Sequence, residues 1–167
     1  MAGPDYRSAE APLETVEAVD LQRYAGRWYE IALYPNAFQR GCSRTVAAYA
    51  PVEAGRISVT NSCDRDGERV VAEGSARVVA GSNGARLKVT FAPGWIAWAP
   101  FAEGDYWVLY LDEEYQHAVV GAPNGRYLWF LSRTPRADPE ALEAMKAAAV
   151  AQGFDLAPLS WTEQGPA

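Results

Sequence analysis

The sequence predicts an all-β fold: an antiparallel up-and-down barrel of eight strands, with one C-terminal α-helix packed against its outside. Short segments rich in β-branched and aromatic residues follow one another at close spacing, and turn residues bound each of them. Only one segment, near the C-terminus, has a long helical pattern. A row of antiparallel strands favours closure, because a closed sheet has no exposed edge. A sandwich of two sheets is the alternative, but it explains the docking of the helix less well.

Length and charge fit one such domain and argue against several functions. The 167 residues, 49% of them hydrophobic, are enough for a real core and argue against disorder. The net charge of −6 argues against a nucleic-acid partner and against electrostatic attachment to anionic lipids. The chain has no apolar run of the roughly 18 residues that a transmembrane helix needs.

The chain is expected to begin with a flexible tail over residues 1–12, followed by one domain over 13–163 and a short tail over 164–167. Residues 13–25 carry spaced apolar side chains and form an arm that can pack across one end of the barrel. Asp20 is a natural cap for a short turn within this arm. The polar start of the sequence shows no export signal.

Turn residues separate the eight predicted strands. Asn124-Gly125 is the clearest turn, since a two-residue type I′ turn needs positive φ at both positions. Ser82-Asn83-Gly84 is another. The strands are predicted over residues 26–34, 43–50, 56–63, 68–79, 85–92, 105–112, 115–121 and 126–132.

The helix is predicted to begin after Asp138, a natural N-cap, with Pro139 in the first helical position. Its apolar residues form one narrow stripe, made of Leu142, Met145 and Ala149. Gly153 suits the C-terminal stop. A helix with a single stripe must dock, most simply on the outside of the sheet. A short ninth strand is expected over 159–162.

The two cysteines, Cys42 and Cys63, flank a hairpin pattern whose turn is predicted over residues 51–55. If Ala50 faces Gly55, Cys42 faces Cys63, and opposed strand residues lie about 4.5–5.5 Å apart at Cα, which a disulfide can span. A bulge at Gly55 would break this register, and two unrelated thiols are the alternative. We expect the disulfide, and with it an oxidising compartment such as the periplasm.

Both faces of the strands between residues 105 and 132 are apolar. With the predicted turns, Trp107 faces Val120, and Val120 faces Trp129. One face can therefore meet the helix and the other an interior, whereas an ordinary antiparallel sheet keeps one face wet. Core packing around no cavity is the alternative.

The loop over residues 92–101 is unusually apolar, because it contains Trp95, Trp98 and Phe101. Apolar patches of this kind mark a ligand groove, a membrane contact or a partner, and tryptophan suits a water–lipid boundary. In an up-and-down barrel this loop lies at the same end as Phe38. A loop folded back to plug the barrel is the alternative.

Three motifs occur in a fixed order: Gly26-Arg27-Trp28-Tyr29-Glu30-Ile31 in the first strand, Asp105-Tyr106 in a later strand, and Arg133 within Ser132-Arg133-Thr134-Pro135. In this order and at about these separations they resemble the lipocalin family. The first motif and the run over residues 127–135 look closest to its bacterial lipocalin and apolipoprotein D branch. Gly104 departs from the pattern, since a threonine is common there.

The resemblance implies a lipocalin calyx, a hollow barrel that holds a ligand. Trp28 and Arg133 then pack together at the closed base, where a guanidinium over an indole contributes roughly 0.5–2 kcal/mol. The resemblance implies that Trp129 lines the pocket, so we expect the face shared by Trp107 and Trp129 to point inward. The expected ligand-binding residues are Phe38, Tyr49, Asn61, Arg65, Trp95, Trp98, Trp107 and Trp129. Tyr49 and Asn61 fall on opposite faces in the simple register, so either a bulge intervenes or one assignment is wrong.

The resemblance further implies a non-enzymatic carrier that binds a small hydrophobic ligand, a fatty acid or a lysophospholipid, in cell-envelope lipid maintenance. Neither a cofactor nor a metal site is expected. We expect a monomer or weak homodimer in the periplasm or at the outer membrane of a Gram-negative bacterium, its export signal or lipid anchor absent from this sequence. The Trp95–Phe101 loop is the expected point of peripheral membrane contact.

Two other functions stay open. A binding protein for haem, a tetrapyrrole or a carotenoid would use the same cavity for a different ligand. The one histidine, His117, could ligate an iron only from inside the barrel, and its place in an apolar strand favours a core role. An envelope enzyme could use Cys42 as its nucleophile, but Cys63 offers Cys42 a better partner. The sequence contains no phosphate-binding loop, dinucleotide fingerprint, zinc-site spacing or nucleophile elbow.

Overall fold

A computed structural model describes residues 5–8, 11–36, 39–91 and 103–165, and these residues form nine strands and two helices. The helices are α1 (Leu21–Tyr24) and α2 (Pro139–Ala151). The strands are β1 (Gly26–Leu33), β2 (Ser43–Glu53), β3 (Arg56–Arg65), β4 (Glu68–Val78), β5 (Arg86–Phe91), β6 (Gly104–Leu111), β7 (His117–Gly121), β8 (Leu128–Ser132) and β9 (Ser160–Trp161). Each predicted strand is present, with ends that differ by a few residues.

The sheet closes on itself. Its strands follow the order β2-β3-β4-β5-β6-β7-β8-β1-β9, neighbouring strands are antiparallel, and β1 also pairs with β2. The predicted eight-stranded up-and-down barrel is therefore confirmed, with the short strand β9 added beside β1. Neither of the helices in the described part of the chain is long and apolar enough to cross a bilayer.

Helix α2 lies against the outside of the barrel, as predicted. The Asp138 side chain caps it by accepting a hydrogen bond from the Ala141 N–H at 3.3 Å, and Pro139 occupies its first turn. Met145 and Ala149 are fully buried. They pack against the outer face of β6, β7 and β8, which contributes Leu109, Val119, Leu128 and Phe130. The helix thus accounts for the apolar outer face of these strands.

One end of the barrel, the base, is covered by α1 and filled by side chains. Trp28 is fully buried there, and its Nε1 donates to the Tyr24 carbonyl oxygen at 2.8 Å. The Arg133 guanidinium lies 3.9 Å from the centre of the Trp28 ring. The same guanidinium donates to the backbone carbonyls of Arg23, Ala25, Arg27 and Tyr115 over distances of 2.8 to 3.1 Å. Arg133 therefore holds α1, β1 and the loop before β7 together.

Part of the expected N-terminal tail docks on the barrel. The Tyr6 N–H donates to the Gly125 carbonyl oxygen at 3.1 Å, and the Tyr6 carbonyl accepts from the Asp155 N–H at 2.9 Å. Arg7 forms an isolated antiparallel bridge with Phe154. Residues 5–8 thus pair with the segment after α2, a contact between distant parts of the sequence that no local pattern reveals.

Candidate ligand cavity

The other end of the barrel, the mouth, opens into a cavity of about 400 Å³. The loops that follow β1, β3 and β7 meet at this end. The apolar part of the cavity wall includes Ala47, Val59, Val89, Phe91, Trp129 and Leu131. This volume falls within the range of roughly 300–1,000 Å³ that small-molecule sites occupy.

Trp129 and Trp107, which we expected on one inward face, lie on opposite faces. Trp129 faces Val120 across β7 and β8, and it lines the cavity. Trp107 faces Gly121 instead of Val120, because the register between β6 and β7 shifts within β6. The inward expectation for Trp107 is therefore wrong. Its ring lies on the outside of the barrel, where the Arg86 guanidinium is 4.1 Å from the ring centre.

The predicted Cys42–Cys63 disulfide is confirmed, and its two Cα atoms are 5.4 Å apart. The register from which it was predicted is wrong, because Tyr49 pairs with Val59 rather than with Arg56. The pairing of β2 with β3 shifts near both ends of β2. The cysteines are therefore close together without being directly opposed.

This register settles the question left open for Tyr49 and Asn61, since both residues face inward and line the cavity. Arg65 lies at the mouth end of β3, where its Nη2 donates to Cys42 Sγ at 3.4 Å. The remaining candidates lie outside the described residues, and these are Phe38, Trp95, Trp98 and the Trp95–Phe101 loop.

Three tyrosines form the floor between the cavity and the base. The hydroxyl oxygens of Tyr24 and Tyr106 are 2.6 Å apart, and the Tyr106 hydroxyl donates to the Tyr49 hydroxyl at 3.0 Å. Burial raises the pKa of Tyr49 to about 12, and it raises the pKa values of Tyr24 and Tyr106 well above their ordinary value. The floor therefore presents hydrogen-bonding groups to the cavity rather than charge. Its members are far apart in the sequence, so no local pattern identifies the cluster.

Glu30 is a buried carboxyl in the cavity wall, two residues after Trp28, and it is 4% exposed. Its oxygens accept hydrogen bonds from Gln39 Nε2 at 2.6 Å and from Thr162 Oγ1 at 2.5 Å. Gln39 Oε1 in turn accepts from Trp129 Nε1 at 2.9 Å. Burial raises the pKa of Glu30, although the hydrogen bonds from Thr162 and Gln39 act to lower it. Sequence reasoning missed Glu30, although a carboxylate two residues after Trp28, on the same face of an apolar strand, is a signal for a buried polar group in the barrel interior.

The segment after β9 closes a gap in the wall beside Glu30. Strands β1 and β2 pair only over Gly26–Tyr29 of β1, and above this point they separate. Gln164, expected in a tail, bridges the two strands by donating from Nε2 to the carbonyl oxygens of Glu30 and Thr45, at 2.7 and 2.9 Å. The C-terminal segment therefore supplies hydrogen bonds where the strand ladder is interrupted.

Haem binding through His117 and catalysis by Cys42 were the two alternative functions, and the structure places neither side chain as they require. His117 faces outward, because its neighbour Ala118 packs into the barrel interior, so it does not reach an iron bound inside. Cys42 and Cys63 are bonded to each other, so neither is a thiolate nucleophile in this state. Among the described residues, no group of three or more His, Cys, Asp or Glu side chains could hold a metal ion.

Sequence comparisons agree with this geometry. Residues 19–164 match the family model of the lipocalin-like domain. Temperature-induced lipocalin-1 of Arabidopsis thaliana is 41% identical over 155 residues, which cover 91% of this chain and 83% of the relative. Outer membrane lipoprotein Blc of Escherichia coli (strain K12) is 39% identical over 152 residues, covering 89% and 81%. Apolipoprotein D of Mus musculus is 31% identical over 171 residues, covering 97% and 86%.

Among solved structures, insecticyanin from the tobacco hornworm Manduca sexta has a TM-score of 0.76 at 20% identity, over 96% of this chain and 89% of that protein. Lobster apocrustacyanin A1 has a TM-score of 0.70 at 16% identity, over 98% and 93%. At such low identity these two likenesses concern the fold alone.

Proposed function

This chain belongs to the lipocalin family, whose members bind small hydrophobic ligands, and from that premise we propose that it carries one fatty acid or lysophospholipid. The observation that carries the proposal is the cavity of about 400 Å³, with a largely apolar wall and an opening at the mouth. An acyl chain gains about 0.8 kcal/mol for each methylene it removes from water, before the costs of association. One flexible chain suits a narrow cavity closed below by a floor.

The mouth is the end at which a polar head group would lie. Arg65 at the end of β3 provides a guanidinium, which forms strong hydrogen bonds with a carboxylate or phosphate. The acyl chain of the lipid then extends past Asn61 and Trp129 towards the tyrosine floor. This orientation leaves the charged head group in water and buries the hydrocarbon. It costs less free energy than the reverse orientation, which would bury the charge.

Two observations support a role in the cell envelope. The Blc relatives of Escherichia coli and Vibrio cholerae are outer membrane lipoproteins, and a disulfide persists in oxidising compartments. The proposed setting is the periplasm or outer membrane of a Gram-negative bacterium, and the proposed role is maintenance of envelope lipids. In this proposal the Trp95–Phe101 loop touches the membrane, and the carrier acts as a monomer or weak homodimer.

The test is to purify the protein from its own host under native conditions, record its native mass spectrum, and then extract and identify the bound molecule. We expect one adduct per chain with the mass of a single-chain lipid. An adduct with the mass of a tetrapyrrole or a carotenoid would contradict the proposal.

A matched pair of variants tests whether the bound molecule lies in the cavity. Ala47 faces the cavity, and its neighbour Ala48 faces outward on the same strand. Ala47→Trp should fill the cavity and abolish the adduct, whereas Ala48→Trp should retain it. Retention of the adduct by folded Ala47→Trp would place the ligand outside the barrel.

A further inference from the structure

The hydroxyl chain at the cavity floor leaves one proton unused. Each phenol has a single O–H. The Tyr106 hydroxyl donates to Tyr49, so in the close pair of Tyr24 and Tyr106 the donor is Tyr24. Within the described part of the chain the proton of Tyr49 therefore has no acceptor, and Tyr49 lines the cavity. Two preceding hydrogen bonds polarise this last O–H and make it a stronger donor.

A buried acceptor lies on the same wall. Asn61 lines the cavity, and its buried Oδ1 has no hydrogen-bond partner among the residues that the structure describes. Tyr49 pairs with Val59, and Asn61 lies two residues further along the same face of β3. Tyr49 and Asn61 are thus diagonal neighbours on adjacent strands, about 7–8 Å apart at Cα, so one small group can lie between their side chains. A buried polar atom without a partner is costly, which is why such atoms at a cavity wall point to a ligand.

We propose that Tyr49 and Asn61 form a subsite for a hydroxyl group carried on the ligand's chain, so that the preferred ligand is a hydroxylated single-chain lipid. A hydroxyl both accepts and donates, so it accepts the Tyr49 proton and donates to Asn61. A ketone carbonyl satisfies Tyr49 alone, and a methylene satisfies neither residue. This inference rests on the carrier function proposed above and specifies its ligand class.

The position of the subsite fixes where the hydroxyl lies on the chain. Arg65 marks the mouth end of β3, and Asn61 precedes it by four residues in that strand. At about 3.3 Å per residue the two positions are separated by about 13 Å along the strand. With its head group at the mouth, a lipid brings to Asn61 and the Tyr49 hydroxyl the part of its chain that lies about 13 Å from the head group, just above the floor. A hydroxyl next to the head group stays at the mouth and misses the subsite.

The experiment compares three fatty acids by isothermal titration calorimetry on the full chain: dodecanoic acid, 2-hydroxydodecanoic acid and 10-hydroxydodecanoic acid. We expect the wild type to bind the 10-hydroxy acid about tenfold more tightly than the 2-hydroxy acid. Tyr49→Phe should reduce this ratio to about one while keeping the aromatic ring. Asn61→Leu should also reduce it, and it serves as the test if Tyr49→Phe fails to fold. Tyr110→Phe, on the outer face of β6, is the matched control and should leave the ratio unchanged.

The outcomes separate the two proposals. If dodecanoic acid binds but the wild type does not distinguish the two hydroxy acids, the hydroxyl subsite is overturned and the carrier function stands. The same holds if Tyr49→Phe and Asn61→Leu keep the tenfold ratio. If none of the three acids binds, the carrier function for fatty acids fails, and the subsite fails with it.

Discussion

The base and the cavity are built from the same strands but differ in what occupies the inward-facing positions. Near the base these positions hold apolar side chains that fill the interior, among them Trp28, Ile57, Leu87 and Val108. Towards the mouth, small or polar residues such as Ala47, Asn61, Gly104 and Glu30 are interspersed among the apolar residues of the cavity wall. Within β1 the change takes two residues, from Trp28 to Glu30. The size and polarity of alternate residues thus decide where the barrel is filled and where it is hollow.

This difference implies a division of roles between the two halves. Packing around Trp28 and the hydrogen bonds of Arg133 stabilise the base. The cavity half buries polar groups such as Glu30, which lowers stability unless hydrogen bonds compensate. Substitutions at the base should therefore act mainly on the free energy of unfolding, and substitutions in the cavity mainly on binding.

The largest expected effect is that of Trp28→Ala. Removing a fully buried tryptophan should lower the free energy of unfolding by about 3–5 kcal/mol. It also leaves the Arg133 guanidinium without the ring beneath it. Urea unfolding monitored by circular dichroism measures the change. Trp129→Ala, the matched substitution in the cavity, should cost less than half as much, and an equal loss in both variants would remove the distinction between the two halves.

The next effect tests what stabilises the cavity half in the absence of solid packing. The double substitution Cys42→Ser with Cys63→Ser opens a link between residues 21 apart, which contributes about 3 kcal/mol in the chain-entropy model. Thermal unfolding should show the loss, and reduced wild type should match the double variant. A loss well below 1 kcal/mol would mean that the mouth is held by its hydrogen bonds alone.

A smaller effect, on binding rather than stability, is expected for Trp129→Ala. Its indole forms part of the cavity wall and fixes Gln39 through a 2.9 Å hydrogen bond. We expect about tenfold weaker binding of a lysophospholipid in a folded protein, which corresponds to about 1.4 kcal/mol. Trp107→Ala on the outer face is the control for losing a tryptophan, and equal weakening in both variants would contradict the assignment of faces.

The smallest effect concerns Glu30→Gln and the pH dependence of stability. Burial holds the pKa of Glu30 above its value in the unfolded chain, so the folded wild type binds this proton more tightly. The pKa of Glu30 is lower in the unfolded chain than in the folded protein. As the pH rises from the lower value through the higher one, the wild type loses the stability that the tighter proton binding contributes. Glutamine does not titrate, so the free energy of unfolding of the variant minus that of the wild type should increase with pH across this window and then level off.

Urea unfolding at a series of pH values measures this difference. Glu114→Gln, an exposed residue between β6 and β7, is the matched control. A difference for Glu30→Gln that stays flat or decreases as the pH rises would contradict a raised pKa for Glu30.

Turn and capping residues were sufficient to locate the strands and the long helix, because their signals are local. Asn124-Gly125 lies in the turn before β8, and Asp138 with Pro139 marks the start of α2. The predicted type I′ form of that turn is wrong, because only Gly125 has a positive φ and the connection spans residues 122–127. The register between strands could not be predicted in the same way. A bulge depends on how two neighbouring strands fit together, and a one-residue shift moves a side chain to the other face. This is why Trp107 was placed on the wrong face.

The tyrosine floor and the hydrogen bonds of Glu30 could not be predicted from the sequence, for a different reason. Tyr24, Tyr49 and Tyr106 come from three separate elements and meet only when the barrel closes. Glu30 finds its partners in the loop after β1 and in the C-terminal segment. Such contacts depend on tertiary structure. The sequence therefore predicted a cavity and part of its wall, including Tyr49 and Asn61, but neither the cluster of three tyrosines nor the hydrogen bonds of Glu30.

The central claim, that the hollow half of the barrel receives one acyl chain, is tested most directly by a chain-length series. Lysophosphatidylcholines with saturated chains of increasing length would be titrated into the protein by isothermal titration calorimetry. The binding free energy should become more favourable by up to about 0.8 kcal/mol for each added methylene, until the chain reaches the tyrosine floor, and should then level off. An affinity that does not change with chain length would show that the chain remains in water and would contradict the claim.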